Sequence, residues 1–328
     1  MGKACPGHRV NLDAPGRGVK IPTPCLKTLV EPPLGGYNIL VLVLSAKSVS
    51  EALYLRLRQE LAEFRQRVGR PPSLATILVG DDPASRVYVA KKGQMCADLG
   101  YGHKDYKLPA STLQKDLLQL VHDLNADDAV DGILVQKPLP PQINERVIFD
   151  ALDPLKDVDC FSPQNVGLLS QGRGTVAPCT PAGVMEILSH YQISPRGMNA
   201  LVVGRSDIVG KPMAQLLLQA DATVTMAHSR TTNLAAHIAT ADLVVAAIGR
   251  PQMLGGDLPW KSTAVVIDVG INRLPTGKLA GDVNYEQVAP KVKAITPVPG
   301  GVGPMTIAML MANTLTLARA RTSLEHLK

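Results

Sequence analysis

Apolar residues recur with two different periods along this chain, and the alternation between them predicts its elements. Short unbroken apolar runs read as buried strands at 38–44, 74–79, 132–135, 200–203, 223–227, 243–248, 264–269 and 294–296, with a more polar strand at 101–108. Between these runs the apolar positions fall three and four apart, as on one face of a helix. Val49, Ala52, Leu53, Leu57, Leu61 and Phe64 form such a stripe along 48–68. Further helices are predicted within 81–100 and at 112–124, 144–152, 181–191, 233–240 and 305–324. Strand and helix alternate, which is the pattern of parallel sheets wrapped by helices. The expected fold is therefore α/β with two domains. A parallel-sheet domain spans 37–160. A Rossmann-like, doubly wound domain spans 161–304. The helix at 305–324 returns to the first domain. Residues 156–174 have no clear period and read as the crossing between the halves.

Residues 1–36 follow neither rhythm. They are rich in Pro and Gly and carry Lys3, Arg9, Arg17, Lys20 and Lys27 against Asp13 and Glu31. A disordered tail is expected there; a translation start placed too far upstream accounts for the same features. Over all 328 residues the formal charge is +6 and scattered. No Lys/Arg run accompanies the few aromatics, so nucleic acid is not an expected partner. Five cysteines, Cys5, Cys25, Cys96, Cys160 and Cys179, form no CxxC pair. This is neither a disulfide framework nor a zinc site; no metal is expected, and the usage suits a reducing compartment such as the cytoplasm. No apolar run is long enough to span a bilayer, so no membrane association is expected.

The most informative stretch is NALVVGRSDIVGKPM, residues 199–213. A buried strand ends at Gly204, a polar loop follows, and Gly210, Lys211 and Pro212 open a helix. Strand, glycine turn and helix N-terminus together present backbone N–H groups and the positive end of the helix dipole to one spot, which suits phosphate. Gly204 and Gly210 are six apart, one more than in the usual dinucleotide fingerprint, so the motif alone is weak. The next strand sharpens it. It ends in His228, Ser229 and Arg230, where an NAD-preferring fold usually places an acidic residue for the ribose. Ser229 and Arg230, with Arg205 in the first turn, suit a 2′-phosphate, so NADP is expected over NAD. Either arginine taken singly is equally well a solvated loop residue.

Tyr88 and Lys92 are four apart and share a helix face. A surface lysine beside a half-buried tyrosine is the plainer account of that pair alone. A helix that follows a glycine-ended strand, however, starts at the ligand edge of the sheet. Lys92 would then face the cleft, where lost hydration lowers its pKa and fits it for proton transfer, and Tyr88 would stack on a flat heterocycle. Gln136 ends the strand GILVQ just before Pro138 and Pro140, which puts an amide at the cleft edge, to orient a lysine or a substrate carbonyl or merely to cap a loop. Asp157 and Asp159 lie in KDVDC; one of them could accept from a substrate amine, or both could be solvated or capping groups. Cys160 lacks a partner pattern for a nucleophile and reads as structural. In TPVPGGVGPMT, residues 296–306, prolines and glycines make a rigid backbone with close-approach sites, either a wall for a flat ligand or a tight linker. IDVGINR, residues 267–273, takes a buried strand straight into a polar turn, where Ile271 could line a nicotinamide pocket.

Together VGDDPASRVYVAKK, DGILVQKPLP, KDVD, PCTP, VVGRSDIVGKPM, VIDVGINR and TPVPGGVGPMT, in this order, resemble the bifunctional methylenetetrahydrofolate dehydrogenase/methenyltetrahydrofolate cyclohydrolase family. The resemblance implies a dimerising two-domain α/β enzyme with the folate in its cleft. It implies NADP-dependent oxidation of 5,10-methylenetetrahydrofolate, then hydrolysis of the methenyl product to 10-formyltetrahydrofolate. It implies that Lys92 moves the proton in the hydrolysis, that Gln136 tunes it, that Tyr88 packs on the folate and that Asp159 binds the pterin. Gly204, Arg205, Ser206, Ser229 and Ile271 match cofactor contacts, and Pro299, Gly300 and Gly301 wall the folate pocket. No region large enough for a third, formate–folate ligase activity is seen, so two activities are expected. The chain departs from the family at Ser45–Ala46–Lys47, where Asp-Gly-Lys is usual, at Lys137, usually leucine, and at Cys160, usually glycine. These departures support a second hypothesis: a catalytically impaired regulatory paralogue that binds folate or NADP.

Overall fold

The computed structural model describes residues 41–325; the tail expected at 1–36, and the start of the strand expected from residue 38, lie outside them. The chain opens with β1 (Leu42–Val43) and α1 (Ala46–Val68). Then come β2 (Ser73–Val79), α2 (Pro83–Leu99), β3 (Gly102–Leu108), α3 (Gln114–Ala126), β4 (Gly132–Val135) and α4 (Glu145–Asp150). The crossing carries α5 (Pro163–Ser170) and α6 (Cys179–His190). The second half runs through β5 (Asn199–Val203), α7 (Gly210–Gln219), β6 (Thr223–Ala227), α8 (Leu234–Thr240), β7 (Leu243–Ala246) and β8 (Val265–Asp268). A small hairpin of β9 (Asn272–Arg273) and β10 (Leu279–Ala280), then α9 (Tyr285–Val288), β11 (Ala294–Ile295) and α10 (Gly303–Glu325) complete it.

Two parallel sheets result. The first has three strands in the order β3-β2-β4, and the second has six, β1-β11-β8-β7-β5-β6. β1 pairs in parallel with β11, Leu42 opposite Ala294. It therefore belongs to the second sheet, although the sequence places it with the first domain. Its two residues fix no partner by pattern; pairing with a strand some 250 residues away is settled by the tertiary fold. In the second sheet the order reverses at β5, with β6 on one side and β7 on the other, and such a switch point opens a crevice at the carboxyl ends of the strands.

Local signals account for the element ends. The Asp82 carboxylate accepts from Ser85 N at 2.7 Å and Pro83 fills the first turn of α2. Ser162 and Pro163 start α5 in the same way, inside the stretch that reads as irregular from sequence. Val49, Leu53, Leu57, Leu61 and Phe64 are buried along α1 and pack on α10 and α6. Each such side chain stabilises by about 1.5–3 kcal/mol relative to exposure.

The last helix does return to the first domain. α10 lies on α1, α6, α2, β2 and β4. Asn313 Nδ2 donates to Val158 O and Ala177 O, and Tyr101 OH donates to Met311 O at 2.8 Å. Arg321 reaches Val130 O and the fully buried Asp131, which Arg70 also holds. The Lys156 side chain is wholly buried, and its ammonium donates to Leu124 O, Asn125 O and Asp127 O at 2.7–2.8 Å. Of these carbonyls at the end of α3, Asp127 O also accepts from Val130 N, whereas Leu124 O and Asn125 O would otherwise lack partners.

Candidate active site

The two sheets turn their strand ends towards a shared cleft. β2 ends at Gly80, and α2 starts beyond it with its first turns at that edge. Lys92, two and a half turns along, is buried, whereas Lys91 is exposed and Tyr88 half-buried. β4 pairs with β2 and delivers Gln136 to the same edge. Lys92 Nζ donates to Gln136 Oε1 at 2.9 Å. The amide is oriented for this because Gln136 Nε2 donates to Lys137 O at 2.7 Å. Burial lowers the Lys92 pKa, and the opposing pull of Asp159 only partly offsets it.

Lys92, Gln136 and Asp159 share a cavity of about 240 Å³ with Lys137, Phe161, Cys179, Thr180, Ile208, Val209 and Thr306. Residues 208 and 209 come from the second sheet's glycine turn, so both domains contribute. Burial raises the Asp159 pKa, and the Lys92 ammonium and the nearby Cys179 thiol offset this only in part. The neighbouring aspartate has a different fate: Asp157 is fully buried and accepts from Phe161 N, Ser162 N and Asn165 Nδ2. The KDVD motif thus divides into a structural carboxylate and one facing the cleft. A larger cavity, about 450 Å³, lies by Leu42, Gly197 and Lys293, at the opposite edge of the second sheet and away from these groups.

Cys179, Thr180 and Thr306 were not singled out in sequence as site residues. Thr180 and Thr306 share a hydrogen bond at 3.0 Å between hydroxyls 126 residues apart. The only local signal was their place in PCTP and at the end of the proline–glycine segment.

The glycine turn lies at the carboxyl end of β5, at the switch point of the second sheet. Gly204 has φ +136°, and a Cβ there would collide with Ala247 O, so the turn after β5 sits directly against the turn after β7. Ser206 Oγ accepts from Val209 N and Gly210 N, each at 3.3 Å, and so holds the start of α7. Arg205 is exposed beside it. β6 runs alongside β5, with Val203 opposite Ala227, and so brings exposed Ser229 and Arg230 to the same edge. A glycine-lined approach to a helix N-terminus, with two arginines and a serine nearby, fits a phosphorylated dinucleotide. Ile271 is 47% exposed and near Gly303 at the start of α10. Gly300 O accepts from Ala46 N, which joins the proline–glycine segment to the start of α1; Pro299 is exposed and Gly301 buried. Lys92, Gln136 and Asp159 thus meet in one cavity and the glycine-turn residues gather at a second edge, while Tyr88, Ile271 and Pro299–Gly301 do not line that cavity.

The departures from the family pattern are accommodated. Ser45 caps α1 by accepting from Lys47 N. Lys137 pairs with Glu145 at 2.7 Å and lies over the Phe149 ring. Cys160 has φ +58°, the left-handed region that favours glycine, and its thiol faces Val176 O at 3.6 Å. Strain of about 1–2 kcal/mol follows for a non-glycine residue.

Two family models match the chain: the tetrahydrofolate dehydrogenase/cyclohydrolase catalytic domain over 44–159 and its NAD(P)-binding domain over 178–322. The bifunctional protein FolD of Campylobacter fetus is 50% identical over 279 residues, 85% of this chain and 98% of that protein. That of Acidiphilium cryptum is 53% identical over 280 residues, with the same coverage of each. Among solved structures, the bifunctional FolD dehydrogenase/cyclohydrolase of Campylobacter jejuni is 45% identical with a TM-score of 0.83, covering 86% of this chain and 99% of that one. The Trypanosoma brucei enzyme, solved with NADP cofactor and inhibitor, is 37% identical with a TM-score of 0.81, covering 86% and 98%.

Proposed function

The chain belongs to the tetrahydrofolate dehydrogenase/cyclohydrolase family, and from that membership we infer that its cleft carries out two successive reactions. 5,10-Methylenetetrahydrofolate is oxidised with NADP to 5,10-methenyltetrahydrofolate, which is then hydrolysed to 10-formyltetrahydrofolate. The observation that carries this is the buried Lys92 ammonium, held by the oriented Gln136 amide within a cavity to which both domains contribute.

NADP, when bound, supplies the hydride acceptor. The Gly204 turn, Arg205, Ser206, Ser229 and Arg230 would hold its phosphates, and Ile271 would lie by its nicotinamide. For the oxidation the chain's work is chiefly placement, since the substrate's own nitrogen stabilises the cation left on the carbon. Tyr88 packs on the folate, Asp159 accepts from the pterin amine, and Pro299, Gly300 and Gly301 wall the pocket. For the hydrolysis a proton must leave the attacking water. Lys92, in its neutral form, accepts it at Nζ, and burial makes that form accessible nearer neutral pH. Gln136 keeps the amine aimed at the cavity.

Two further points belong to this proposal. β6 is an edge strand with Thr225 exposed and Met226 36% exposed, and with Leu218 57% exposed on the preceding helix. Such an edge suits pairing with a second copy, as a homodimer. The free, buried Cys96, Cys160 and Cys179 suit the cytoplasm; among the described residues no helix is long and apolar enough to cross a membrane. Nothing in the site favours the impaired paralogue.

The test is reduction of NADP⁺ by purified protein with 5,10-methylenetetrahydrofolate, run beside NAD⁺, followed by decay of the methenyl product. NADP-dependent turnover with accelerated decay is expected. Tight binding without turnover would instead establish the paralogue. Arg205→Ala should weaken NADP by about 10-fold or more and NAD little, the scale of one charge-assisted hydrogen bond; equal loss for both would remove the 2′-phosphate assignment.

A further inference from the structure

Two buried carboxylates lie outside the Lys92 cavity and have no place in the two reactions. Asp282 is fully buried and Asp268 is 3% exposed. Asp282 Oδ2 accepts from Ile248 N at 2.5 Å and Gly249 N at 3.0 Å. Its Oδ1 accepts from Arg250 N at 3.0 Å and from Asn272 Nδ2 at 2.9 Å. Three consecutive backbone N–H groups thus close on one side chain, an anion-binding nest satisfied from within the protein. Asp268 supports it from behind. Its Oδ1 accepts from Asp282 N and Gly270 N, and its Oδ2 from Val283 N, each at 2.9 Å. The fit is close: a Cβ at Gly281 would run into the Asp268 carboxyl. Among the described residues neither carboxylate forms an ion pair, so amide donors alone satisfy them.

The segments tied together are the ones that meet the cofactor edge. Residues 248–250 continue the turn whose Ala247 lies against Gly204. Gly270 and Asn272 flank Ile271, one bonded to each aspartate.

We propose that Asp282, oriented by Asp268, is a positioning residue for the dehydrogenase step: it sets the 247–250 turn and the 270–272 turn as the two walls that present the nicotinamide. The proposal rests on the function inferred above. It assigns the pair no part in the hydrolysis, whose groups lie on β4, α2 and the chain around Asp159. An asparagine at 282 keeps the shape but turns a donor towards N–H donors, so that at least one wall loses its hold.

The experiment compares Asp282→Asn and the milder Asn272→Ala with the parent in three measurements. The first is NADP-dependent oxidation. The second is hydrolysis of added methenyltetrahydrofolate without NADP. The third is amide hydrogen exchange in NADP-free protein. For Asp282→Asn, dehydrogenase kcat/KM for NADP should fall about 10-fold or more, the scale of a small misplacement. Hydrolysis should stay within about twofold, and amides 248–250 should exchange about 10-fold faster. Asn272→Ala should show the same split at about threefold, and it decides the matter if Asp282→Asn does not fold. Loss of both activities in proportion would mark a general structural role and overturn the proposal, as would unchanged dehydrogenase activity. A parent with neither folate activity would remove the inferred function instead. NADP affinity and amide exchange in the two variants would still decide whether Asp282 holds the cofactor walls, and a parent that binds no NADP would overturn both.

Discussion

Lys92 and Lys156 are the same residue in much the same situation, and they do opposite things. Both are buried, and burial lowers the pKa of both. Lys156 donates to three carbonyls at the end of α3, which uses every ammonium hydrogen. Lys92 has one acceptor among the described residues, the Gln136 amide, and otherwise faces the cavity. Burial alone therefore does not make a reactive lysine. A buried cation with a complete set of acceptors is architecture; one with a partial set keeps hydrogens, and on deprotonation a lone pair, available for chemistry.

The comparison breaks if either lysine proves to have the other's role. Lys92→Ala should lower methenyl hydrolysis by about 10²–10⁴-fold, the range of a general acid–base group, while NADP affinity stays near normal. Hydrolysis at the parental rate would end its assignment. Lys156→Met should lower the stability measured by urea unfolding by about 3 kcal/mol or more, since three hydrogen bonds from a charged group are lost and Leu124 O and Asn125 O are left unpaired. The folded fraction should keep both activities, and a selective loss of hydrolysis would erase the contrast.

A smaller effect sharpens it. If neutral Lys92 accepts the proton, hydrolysis rises with pH through the Lys92 pKa, and burial shifts that rise downward from the usual lysine range. Gln136→Glu places a carboxylate at the amide position, favours the ammonium form and should move the rise to higher pH, slowing hydrolysis at pH 7. An unmoved profile would mean that another group is being titrated. Smallest of all, Cys160→Gly next to Asp159 relieves left-handed strain but loses a buried thiol and gains chain entropy in the unfolded state. Its unfolding free energy should stay within about 1 kcal/mol of the parent, with Cys160→Val clearly worse.

What was legible in the sequence was what local pattern encodes. GILV is an uninterrupted apolar run and is β4; the α1 stripe has helical spacing and is the buried face of α1. Lys92 and Gln136 could be placed near one another because each follows from the end of a strand in the same sheet. What was missed falls into two kinds. The first was present but overlooked: Ser162 and Pro163 are a helix-start signal before NVGLLS, and Pro275–Gly277 sits at the turn of the β9–β10 hairpin. The second kind carries no local signal. Nothing in Leu42 and Val43 says that they pair with Ala294 and Ile295. Nothing near Thr180 announces Thr306, and Asp157 and Asp159, alike in a four-residue motif, are told apart only by which one the fold turns inward to backbone donors.

The return of α10 also bears on the order in which a ribosome could finish this molecule. The face of the first sheet that Leu310, Met311 and Thr314 cover is otherwise lidded in part only, by α2, and β1 waits for β11 to acquire a neighbour. The first-made half therefore emerges with an open apolar flank and an unpaired strand. It stays so until nearly the whole second half has followed it out. During synthesis the folding unit is effectively the entire chain, and a nascent chain stalled between the two halves would be a natural client for a chaperone.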